Sequence, residues 1–450
     1  MTEVDVVVVG AGFAGLAAAR DLVAAGRSVA VVEARDRVGG RVKNQSIGDG
    51  KVVEGGGQWV GPTQDRVLAL AKDLGVETFP TYDTGARVLH FNSKRGTYKG
   101  TIPRINPFVI ADVGRAQARL ESLARKVPLD APWTAAKAEA WDAVTFETWL
   151  RRNTLTAAGR TLLALGIEAV FACEPGDVSL LHVLFYAHSA GSFQMAIDTG
   201  GGAQQDRFVG GSQLVCDKMA EALGPGTITL EAPVRRIAVT GDKVTVESDN
   251  GSWTSRRVIV SVPPMLAGRI DYRPLLPAWR AQLTQRTPMG SVIKCNAVYP
   301  EPFWRAEGLS GQATGDGDGA RVVFDNSPPD ATPGILLGFL EGDGARRLGR
   351  ASPEVRRQAV LDSFVRYFGP KAAHPDDFVE LDWQAEPWSG GCYGTLFGPN
   401  VWTRYGAALR EPVGPVHWAG TETASVWSGY MDGAVSSGQR AAAEVLSALG

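Results

Sequence analysis

The stretch that decides the fold is Val4-Asp5-Val6-Val7-Val8-Val9-Gly10-Ala11-Gly12-Phe13-Ala14-Gly15. A β-branched run ends at the first glycine, and the glycines that follow fit the pattern G-x-G-x-x-G. Residues 14–25 then carry a helical apolar stripe that ends before Gly26, and residues 28–32 form a second β-branched run. This order predicts a compact β-α-β unit with a glycine-rich turn between its first strand and its helix.

The three glycines of the motif have separate physical roles. Gly10 permits a tight turn, Gly12 lets the backbone approach a pyrophosphate, and Gly15 allows the helix to pack closely on the strand. The helix N-terminus favours negative charge. Glu33 ends the second strand, 21 residues after Gly12, where its carboxylate can accept hydrogen bonds from ribose hydroxyls. The combination predicts dinucleotide binding rather than a glycine-rich turn in an unrelated α/β protein.

The residues after Glu33 leave the choice between FAD and NAD open on chemistry alone. They read Ala34-Arg35-Asp36-Arg37-Val38-Gly39-Gly40-Arg41. A second glycine pair with Arg35 and Arg41 offers further donors to a pyrophosphate. A solvated basic loop is the alternative.

Length and composition describe an ordinary globular protein. The chain has 450 residues, about three domain-sized units. Hydrophobic residues make up 44%, which excludes a wholly disordered chain, and the net charge of −2 argues against nucleic acid as a partner. The cysteines and histidines show no metal-ligand or disulfide spacing. We expect no targeting segment, no membrane span and a cytoplasmic location.

Further motifs resemble the flavin amine oxidases, and in particular their monoamine oxidase branch. The glycine motif with residues 33–41 is similar to the family as a whole. The branch matches are GGQWVGPTQ (56–64), FVGGS (208–212), GSVIKC (290–295), SGGCY (389–393), AGTET (419–423) and WSGYM (427–431). They run in one order from residue 6 to about residue 446 and are weakest at about 85–170 and 305–380.

The resemblance implies an α/β fold, α+β overall, in which two domains interleave. A Rossmann-like FAD-binding domain would collect residues 1–78, 209–283 and 386–450. A substrate domain of mixed sheet and helices would collect residues 79–208 and 284–385. Interleaving accounts for the lack of any linker signal in the sequence.

The implied reaction is oxidative deamination. A hydride equivalent passes from the α-carbon of a primary, arylalkyl or similar, amine to flavin N5, and the imine hydrolyses to aldehyde and ammonia. Dioxygen then reoxidises the flavin and yields hydrogen peroxide. The partners are therefore a small amine and dioxygen, and a homodimer is allowed. Three alternatives stay open: a diamine or polyamine oxidase, an L-amino-acid oxidase with a cavity arginine, and a non-catalytic flavin-binding protein.

Three residues match the catalytic positions of the family. By alternation alone, Lys294 is best interpreted as a solvated lysine on an edge strand. In the family the matching lysine holds a water beside flavin N5, where a cation stabilises charge on the reduced flavin. Tyr393 and Tyr430, each beside a glycine, match an aromatic cage that attracts and orients the amine.

The resemblance also implies a set of FAD contacts. Trp388 stands where the family usually has Tyr, and Glu422 has a helix-capping alternative. Cys392 stands where some members form a thioether to the flavin 8α-methyl, although a small buried thiol is the alternative. The implied contacts are Gly10, Gly12, Gly15, Glu33, Arg35, Gly40, Arg41, Gly57, Gln58, Trp59, Val234, Trp383, Trp388, Cys392, Gly420, Thr421, Glu422 and Met431.

The resemblance places the substrate cavity at Phe171, Cys173, Ile197, Asp198, Gln204 and Val322. The small Val322 indicates a roomy cavity. Asp198 would pair with the second ammonium of a diamine if it lined that cavity, but a surface carboxylate is the favoured interpretation. The mitochondrial members carry a C-terminal membrane helix, whereas the last residues of this chain are rich in Ala, Ser and Arg. We therefore expect no membrane attachment.

Overall fold

The computed structural model describes residues 2–100 and 105–450. The strands are β1 (Thr2–Glu3), β2 (Val6–Val9), β3 (Val29–Val32), β4 (Asn44–Ser46), β5 (Val52–Glu54), β6 (Trp59–Val60), β7 (Thr78–Pro80), β8 (Ala86–Phe91), β9 (Lys94–Tyr98), β10 (Asp206–Phe208), β11 (Ile228–Thr229), β12 (Val234–Thr240), β13 (Lys243–Ser248), β14 (Gly251–Ser255), β15 (Arg257–Val260), β16 (Asp271–Arg273), β17 (Val292–Tyr299), β18 (Leu309–Gly315), β19 (Val322–Asp325), β20 (Gly334–Glu341), β21 (Asp377–Asp382) and β22 (Val416–Trp418).

The α-helices lie between these strands and after them. They are α1 (Phe13–Ala24), α2 (Asp65–Asp73), α3 (Pro107–Ala124), α4 (Ala138–Asp142), α5 (Phe146–Asn153), α6 (Ala157–Phe171), α7 (Leu180–Ser189), α8 (Phe193–Ile197), α9 (Gln213–Ala222), α10 (Pro264–Ala267), α11 (Ala278–Gln285), α12 (Phe303–Ala306), α13 (Gly342–Leu348), α14 (Pro353–Phe368), α15 (Val401–Tyr405) and α16 (Met431–Leu449). Short 3₁₀ segments occur at Pro132–Thr134, Pro370–Ala373, Gly406–Leu409 and Thr421–Thr423.

A five-stranded parallel sheet carries the glycine motif. Its order is β11-β3-β2-β15-β22. All four valines of β2 are buried, because the strand lies between two neighbours and both sheet faces are covered. On one face α1 packs against the sheet and against α16, where a Cβ on Gly438 would lie 2.1 Å from the carbonyl oxygen of Ala14. The predicted order of strand, glycine turn, helix and strand is confirmed.

The opposite face of this sheet is covered by a second sheet. That sheet has the order β1-β14-β13-β12-β16, and its apolar residues share a buried cluster with Val7 and Val9 of β2. The strands of both sheets lie inside the three segments assigned to the FAD-binding domain. The domain boundaries themselves stay a prediction.

A seven-stranded mixed sheet forms the second half of the molecule, in the order β21-β17-β20-β19-β18-β8-β9. All eight residues of β17 are buried, because β20 pairs with one edge of the strand and β21 with the other. The interpretation of Lys294 as a solvated edge-strand lysine is therefore wrong. The strand that covers the second edge arrives from Asp377–Asp382, far along the chain.

Helices α3 to α8 and α15 share a large apolar cluster beside the seven-stranded sheet. A three-stranded sheet, β6-β10-β7, joins segments assigned to both domains. Within residues 2–100 and 105–450, no helix combines the length and apolar character that crossing a bilayer requires.

Candidate active site

A large cavity of about 710 Å³ runs between the parallel sheet and the seven-stranded sheet. One end is formed by the turn after β2 and by the end of β3, with Gly10, Gly12 and Glu33 on the wall. The middle is lined by β17, β20 and residues 388–393. The far end is formed by α8 and β19. The cavity therefore connects the dinucleotide motif to the residues that match catalytic positions.

The glycine motif forms a backbone cradle that side chains would fill. Gly10 has a φ of +100°, and a Cβ on Gly15 would lie 2.0 Å from the carbonyl oxygen of Gly10. A Cβ on Gly40 would lie 3.3 Å from the Cα of Gly12, so the two glycine loops touch. Gly12 is the N-cap of α1 and supplies no side-chain cap. The free N–H groups of the first helical turn therefore face a site suited to an anion.

Glu33 and Arg35 complete this end of the cavity. The Glu33 carboxylate accepts from the backbone N–H groups of Ala11 at 2.7 Å and Arg35 at 3.0 Å. Arg35 donates from Nη2 to Ser389 Oγ at 2.8 Å, whereas its buried Nε has no hydrogen-bond partner among the described residues. A cradle without side chains, an uncapped helix end and an unpaired guanidinium donor fit a pyrophosphate with an attached ribose.

Arg41 and Glu422 form a bidentate ion pair beside the cavity. The two N···O distances are 2.6 and 3.0 Å, and Arg41 Nη1 also donates to the carbonyl oxygen of Tyr393 at 3.0 Å. Burial alone would raise the pKa of Glu422, but the Arg41 guanidinium outweighs it and the pKa lies below its usual value. The pair ties the second glycine loop to the segment that carries Tyr393.

Lys294 projects into the cavity from the middle of β17. Its Nζ donates to the carbonyl oxygen of Gly56 at 2.7 Å and to the side-chain oxygen of Gln58. Gln58 in turn donates to Asn326, and Asn326 donates to Asn296, at 2.8 and 2.9 Å. Burial lowers the pKa of Lys294 to about 7. The ammonium is therefore held in place by acceptors and changes charge near neutral pH.

Tyr393 and Tyr430 both present their rings to the cavity. The Tyr393 hydroxyl donates to Glu341 Oε1 at 2.9 Å, and the Tyr430 hydroxyl donates to the carbonyl oxygen of Ala196 at 3.2 Å. The Tyr430 ring also packs against Trp427, with centroids 4.8 Å apart. Burial raises the pKa of both phenols, so both stay neutral. Two fixed, electron-rich rings can attract an amine.

Asp198 lies on the cavity wall, so its interpretation as an outward surface carboxylate is wrong. It directly follows α8, and that short helix forms part of the wall. Its Oδ1 accepts from Gln194 Nε2 at 2.6 Å. Burial raises the pKa of Asp198. Ile197, Gln204 and Val322 also line this end of the cavity.

The structure places most of the sequence-predicted residues around one cavity. The residues that line the cavity are Gly10, Gly12, Glu33, Arg35, Gly40, Arg41, Gly57, Gln58, Trp59, Val234, Lys294, Trp388, Cys392, Tyr393, Gly420, Thr421, Tyr430 and Met431, together with Ile197, Asp198, Gln204 and Val322. Cys392 is a free, buried thiol whose pKa burial raises to about 12.

Five predicted residues lie behind that wall. Gly15 and Glu422 support the cradle, and Trp383 donates from its indole to the carbonyl oxygen of Gly55 at 2.8 Å. Phe171 packs against Tyr186, with ring centroids 4.6 Å apart, and borders a separate small cavity. Cys173 is fully buried after the left-handed C-cap of α6. Phe171 and Cys173 therefore do not line the main cavity.

Sequence reasoning missed several wall residues. Glu341 carried a signal, because it is a lone acid at the end of an otherwise uncharged eight-residue strand. Phe324, Phe339 and Tyr186 carried none, since each lies in an apolar segment typical of any core. In the part of the chain that the structure describes, no group of three His, Cys, Asp or Glu side chains is arranged to hold a metal ion.

The chain is similar to known flavoproteins over nearly its whole length. The family described as flavin containing amine oxidoreductase matches residues 13–446. AofH of Mycobacterium tuberculosis, provisionally named a flavin-containing monoamine oxidase, is 45% identical over 99% of this chain and 97% of its own. Flavin-containing amine oxidase B of Sus scrofa is 40% identical over 100% of this chain and 87% of its own.

Two solved structures have the same fold. Putrescine oxidase bound to putrescine superposes with a TM-score of 0.95 at 38% identity and covers 99% of both chains. Cyclohexylamine oxidase of Brevibacterium oxydans superposes with a TM-score of 0.95 at 36% identity, again over 99% of both chains.

Proposed function

Because the chain belongs to the flavin-containing amine oxidoreductases, we propose that it oxidatively deaminates primary, arylalkyl or similar, amines with bound FAD. The observation that carries this proposal is one continuous cavity. It joins a dinucleotide cradle at Gly10–Gly15 to Lys294, Tyr393 and Tyr430. A protein that only bound flavin would need the cradle but not a buried lysine beside two tyrosine rings.

The residues of the cradle fit FAD. Gly12, Gly40 and the N-terminus of α1 would hold the pyrophosphate, Glu33 the ribose, and Arg35 would supply its unpaired donor. Bound FAD supplies a two-electron oxidation of the amine α-carbon, and dioxygen returns it to the oxidised state with release of hydrogen peroxide.

The remaining residues bind and orient the substrate. Tyr393 and Tyr430 attract the amine through their ring faces and fix the direction of its α-C–H bond. Lys294, held by the acceptor oxygens of Gly56 and Gln58, places an amino group with a pKa of about 7 in the middle of the cavity, and its protonated form provides positive charge there. Phe324 and Phe339 add an apolar surface to the part of the cavity that holds Tyr393.

The direct test is anaerobic flavin reduction. We expect the yellow absorbance of purified protein to bleach when 2-phenylethylamine or tyramine is added, and to return in air with formation of hydrogen peroxide. The panel also includes putrescine and L-amino acids, because an amino-acid oxidase needs a cavity arginine, and Arg87 is one of several arginines on the wall and lies near Asp198. An unchanged spectrum with every compound would contradict an amine oxidase activity.

A thioether between Cys392 and FAD is part of the proposal. Cys392 lies on the cavity wall between the cradle and Tyr393, with a neutral thiol. We expect flavin to stay with the protein after acid precipitation of the wild type, and to be released from the Cys392→Ser variant. Cys216, which is buried away from this cavity, is the matched control. Release of flavin from the wild type contradicts the covalent bond without affecting the proposed activity.

Diamine oxidation is the second candidate, and the position of Asp198 favours it. A half-buried carboxylate on the wall of α8 can accept the second ammonium of a diamine whose first nitrogen lies between the tyrosines. The similarity to a putrescine oxidase also supports oxidation of a diamine.

The Asp198→Asn variant separates the two substrate classes. We expect kcat/KM for putrescine to fall about tenfold or more, since a hydrogen bond between charged groups is worth about 1.5–3 kcal/mol. For 2-phenylethylamine, which has no second ammonium, we expect little change. Steady-state peroxide release with both substrates gives the comparison, and equal losses with the two amines would rule out a diamine-specific role. A homodimer and a cytoplasmic location stay predictions.

A further inference from the structure

Glu341 is a buried carboxyl group on the wall of the amine-binding end. It is the last residue of β20, and 8% of its surface is exposed. Its Oε1 accepts from the hydroxyl of Tyr393 at 2.9 Å. A buried acid is costly unless hydrogen bonds or charge compensate it. A carboxyl group placed against a cage tyrosine, on the surface of the cavity, therefore suggests a role beyond packing.

The register of the sheet aligns Glu341 with Lys294. Glu341 pairs with Val292 across the β17–β20 ladder, and Phe339 pairs with Lys294. Cross-strand partners share a sheet face, and so do residues two apart on one strand. Glu341 and Lys294 are thus diagonal neighbours on the cavity face, about 7–8 Å apart at their backbones. The same face of the sheet therefore presents an acid, an amine and the Phe339 ring as neighbours.

The charges around Glu341 come from three further elements. Glu168 of α6 and Arg321, which precedes β19, form an ion pair at 2.7 Å close to it. Glu174 lies beside Gly342 and Asp343, the two residues that follow Glu341, and its Oε1 accepts from the backbone N–H of Asp343 at 2.9 Å. Burial raises the pKa of Glu341 to about 8, and Glu168 acts in the same direction, whereas Tyr393 and Arg321 oppose it. The group therefore exchanges its proton near neutral pH.

We propose that Glu341 is the proton acceptor for the substrate ammonium in this enzyme. A primary amine arrives as R–CH₂–NH₃⁺, and its nitrogen lone pair is blocked until one N–H bond breaks. The carboxylate of Glu341 accepts that proton and becomes a carboxylic acid with a new O–H bond. The neutral amine R–CH₂–NH₂ stays between the tyrosines. Water in the cavity later removes the proton from Glu341. Tyr393, hydrogen-bonded to the carboxylate, aims it at the cage.

This inference rests on the proposed amine oxidase activity, and its own signature is a pH profile. A group that must be deprotonated in free enzyme makes kcat/KM rise as pH increases through its pKa. We expect a rising limb near pH 8 in the wild type that stays in place across ring-substituted benzylamines of different basicity. A limb that moves with the basicity of the substrate would belong to the amine and would overturn the proposal.

The Glu341→Gln variant keeps the shape and an acceptor for Tyr393 but cannot take a proton. We expect its kcat/KM to be at least about tenfold below wild type above pH 8, since the interaction of a carboxylate with an ammonium is lost. Below pH 7 the wild-type group is itself protonated, so the two proteins should converge. The proposal would be overturned if the ratio of variant to wild-type kcat/KM were the same above pH 8 and below pH 7 and if kcat/KM of the variant still rose with pH.

Two further variants keep the test decisive. Glu341→Asp retains a carboxylate, and its kcat/KM should therefore still rise with pH. Glu168→Gln is the matched control, because it removes a neighbouring buried carboxylate and leaves Glu341 in place. In this variant the rise of kcat/KM with pH should persist but occur at lower pH, because Glu168 raises the pKa of Glu341. Loss of the rise would instead assign the ionisation to Glu168. Flavin absorbance of each purified variant verifies folding, and a wild type that no amine bleaches would refute the amine oxidase activity rather than the role of Glu341.

Discussion

Replacement of Lys294 by Met is expected to lower kcat/KM for amines by about 10²- to 10³-fold, the loss typical of removing one preorganised electrostatic group. The side chain has a similar length but no charge and no donor. Negative charge that develops beside the cage then has no buried cation near it. The effect should fall mainly on kcat, because the tyrosine rings that bind the amine stay in place.

The effect on stability should be small, because the loss of two hydrogen bonds is opposed by removal of the burial cost that lowers the pKa of Lys294. The substitution leaves the carbonyl oxygen of Gly56 and the side-chain oxygen of Gln58 without their donor, and a buried unsatisfied acceptor costs about 1–3 kcal/mol. Stopped-flow reduction and a denaturant melt measure the two effects. Lys51→Met, at a surface lysine paired with Asp330, is the control and should change neither rate nor cofactor content. Near-wild-type reduction in Lys294→Met would remove Lys294 from the catalytic residues.

Replacement of Arg41 by Met is expected to destabilise the protein by about 3–5 kcal/mol at neutral pH, because it leaves the buried carboxylate of Glu422 without its ionic partner. The variant also loses the bond to the carbonyl oxygen of Tyr393. We therefore expect weak retention of FAD as well. Urea unfolding measures the stability, and the ratio of flavin to protein absorbance after dialysis measures the retention.

The pH dependence of this loss has a defined sign. In the wild type the pKa of Glu422 lies below its unfolded value of about 4.3. Its contribution is therefore present above that pH and is lost as pH falls through the folded pKa. In Arg41→Met, burial alone raises the pKa of Glu422, so stability falls as pH rises above about 4.3. The difference in the free energy of unfolding between wild type and Arg41→Met should therefore become smaller as the pH falls.

A surface ion pair provides the control for Arg41. Arg236 is half exposed and pairs with Asp271 and Glu247 at 3.0 and 3.3 Å. Because water and salt screen such pairs, Arg236→Met should leave the unfolding midpoint close to wild type at both pH values. A similar midpoint for Arg41→Met would mean that Glu422 finds another partner or is protonated in the native protein.

Local signals in the sequence predicted the nucleotide-binding unit well. The strand, turn and helix around Gly10–Gly15 follow from residue types within 30 positions, and Glu33 lies at the end of β3 as its spacing indicates. The glycines predicted the cradle because a Cβ is sterically excluded there. Such features depend on short-range backbone geometry, which a single sequence reveals.

Features set by distant segments could not be predicted from residue pattern alone. Lys294 lies on a central strand because β21 covers the second edge of β17, and its side chain is buried against Gly56, Gln58 and Trp59. Asp198 lines the cavity because α8 turns its end inward, and Phe171 lies behind the wall because Tyr186 stands in front of it. Glu341 gains its environment from Tyr393, 52 residues later in the chain. Each of these depends on which segments meet, not on the segment itself.

The parallel sheet joins segments that lie far apart in the chain, so the cradle depends on contacts of long sequence separation. Strand β2 lies near the start of the given sequence, yet β22 forms one edge of the same sheet and residues 420–431 complete the cavity wall. Such long-range pairing also slows folding. We therefore expect a chain truncated before β22 to lack a finished cavity wall and to retain little FAD.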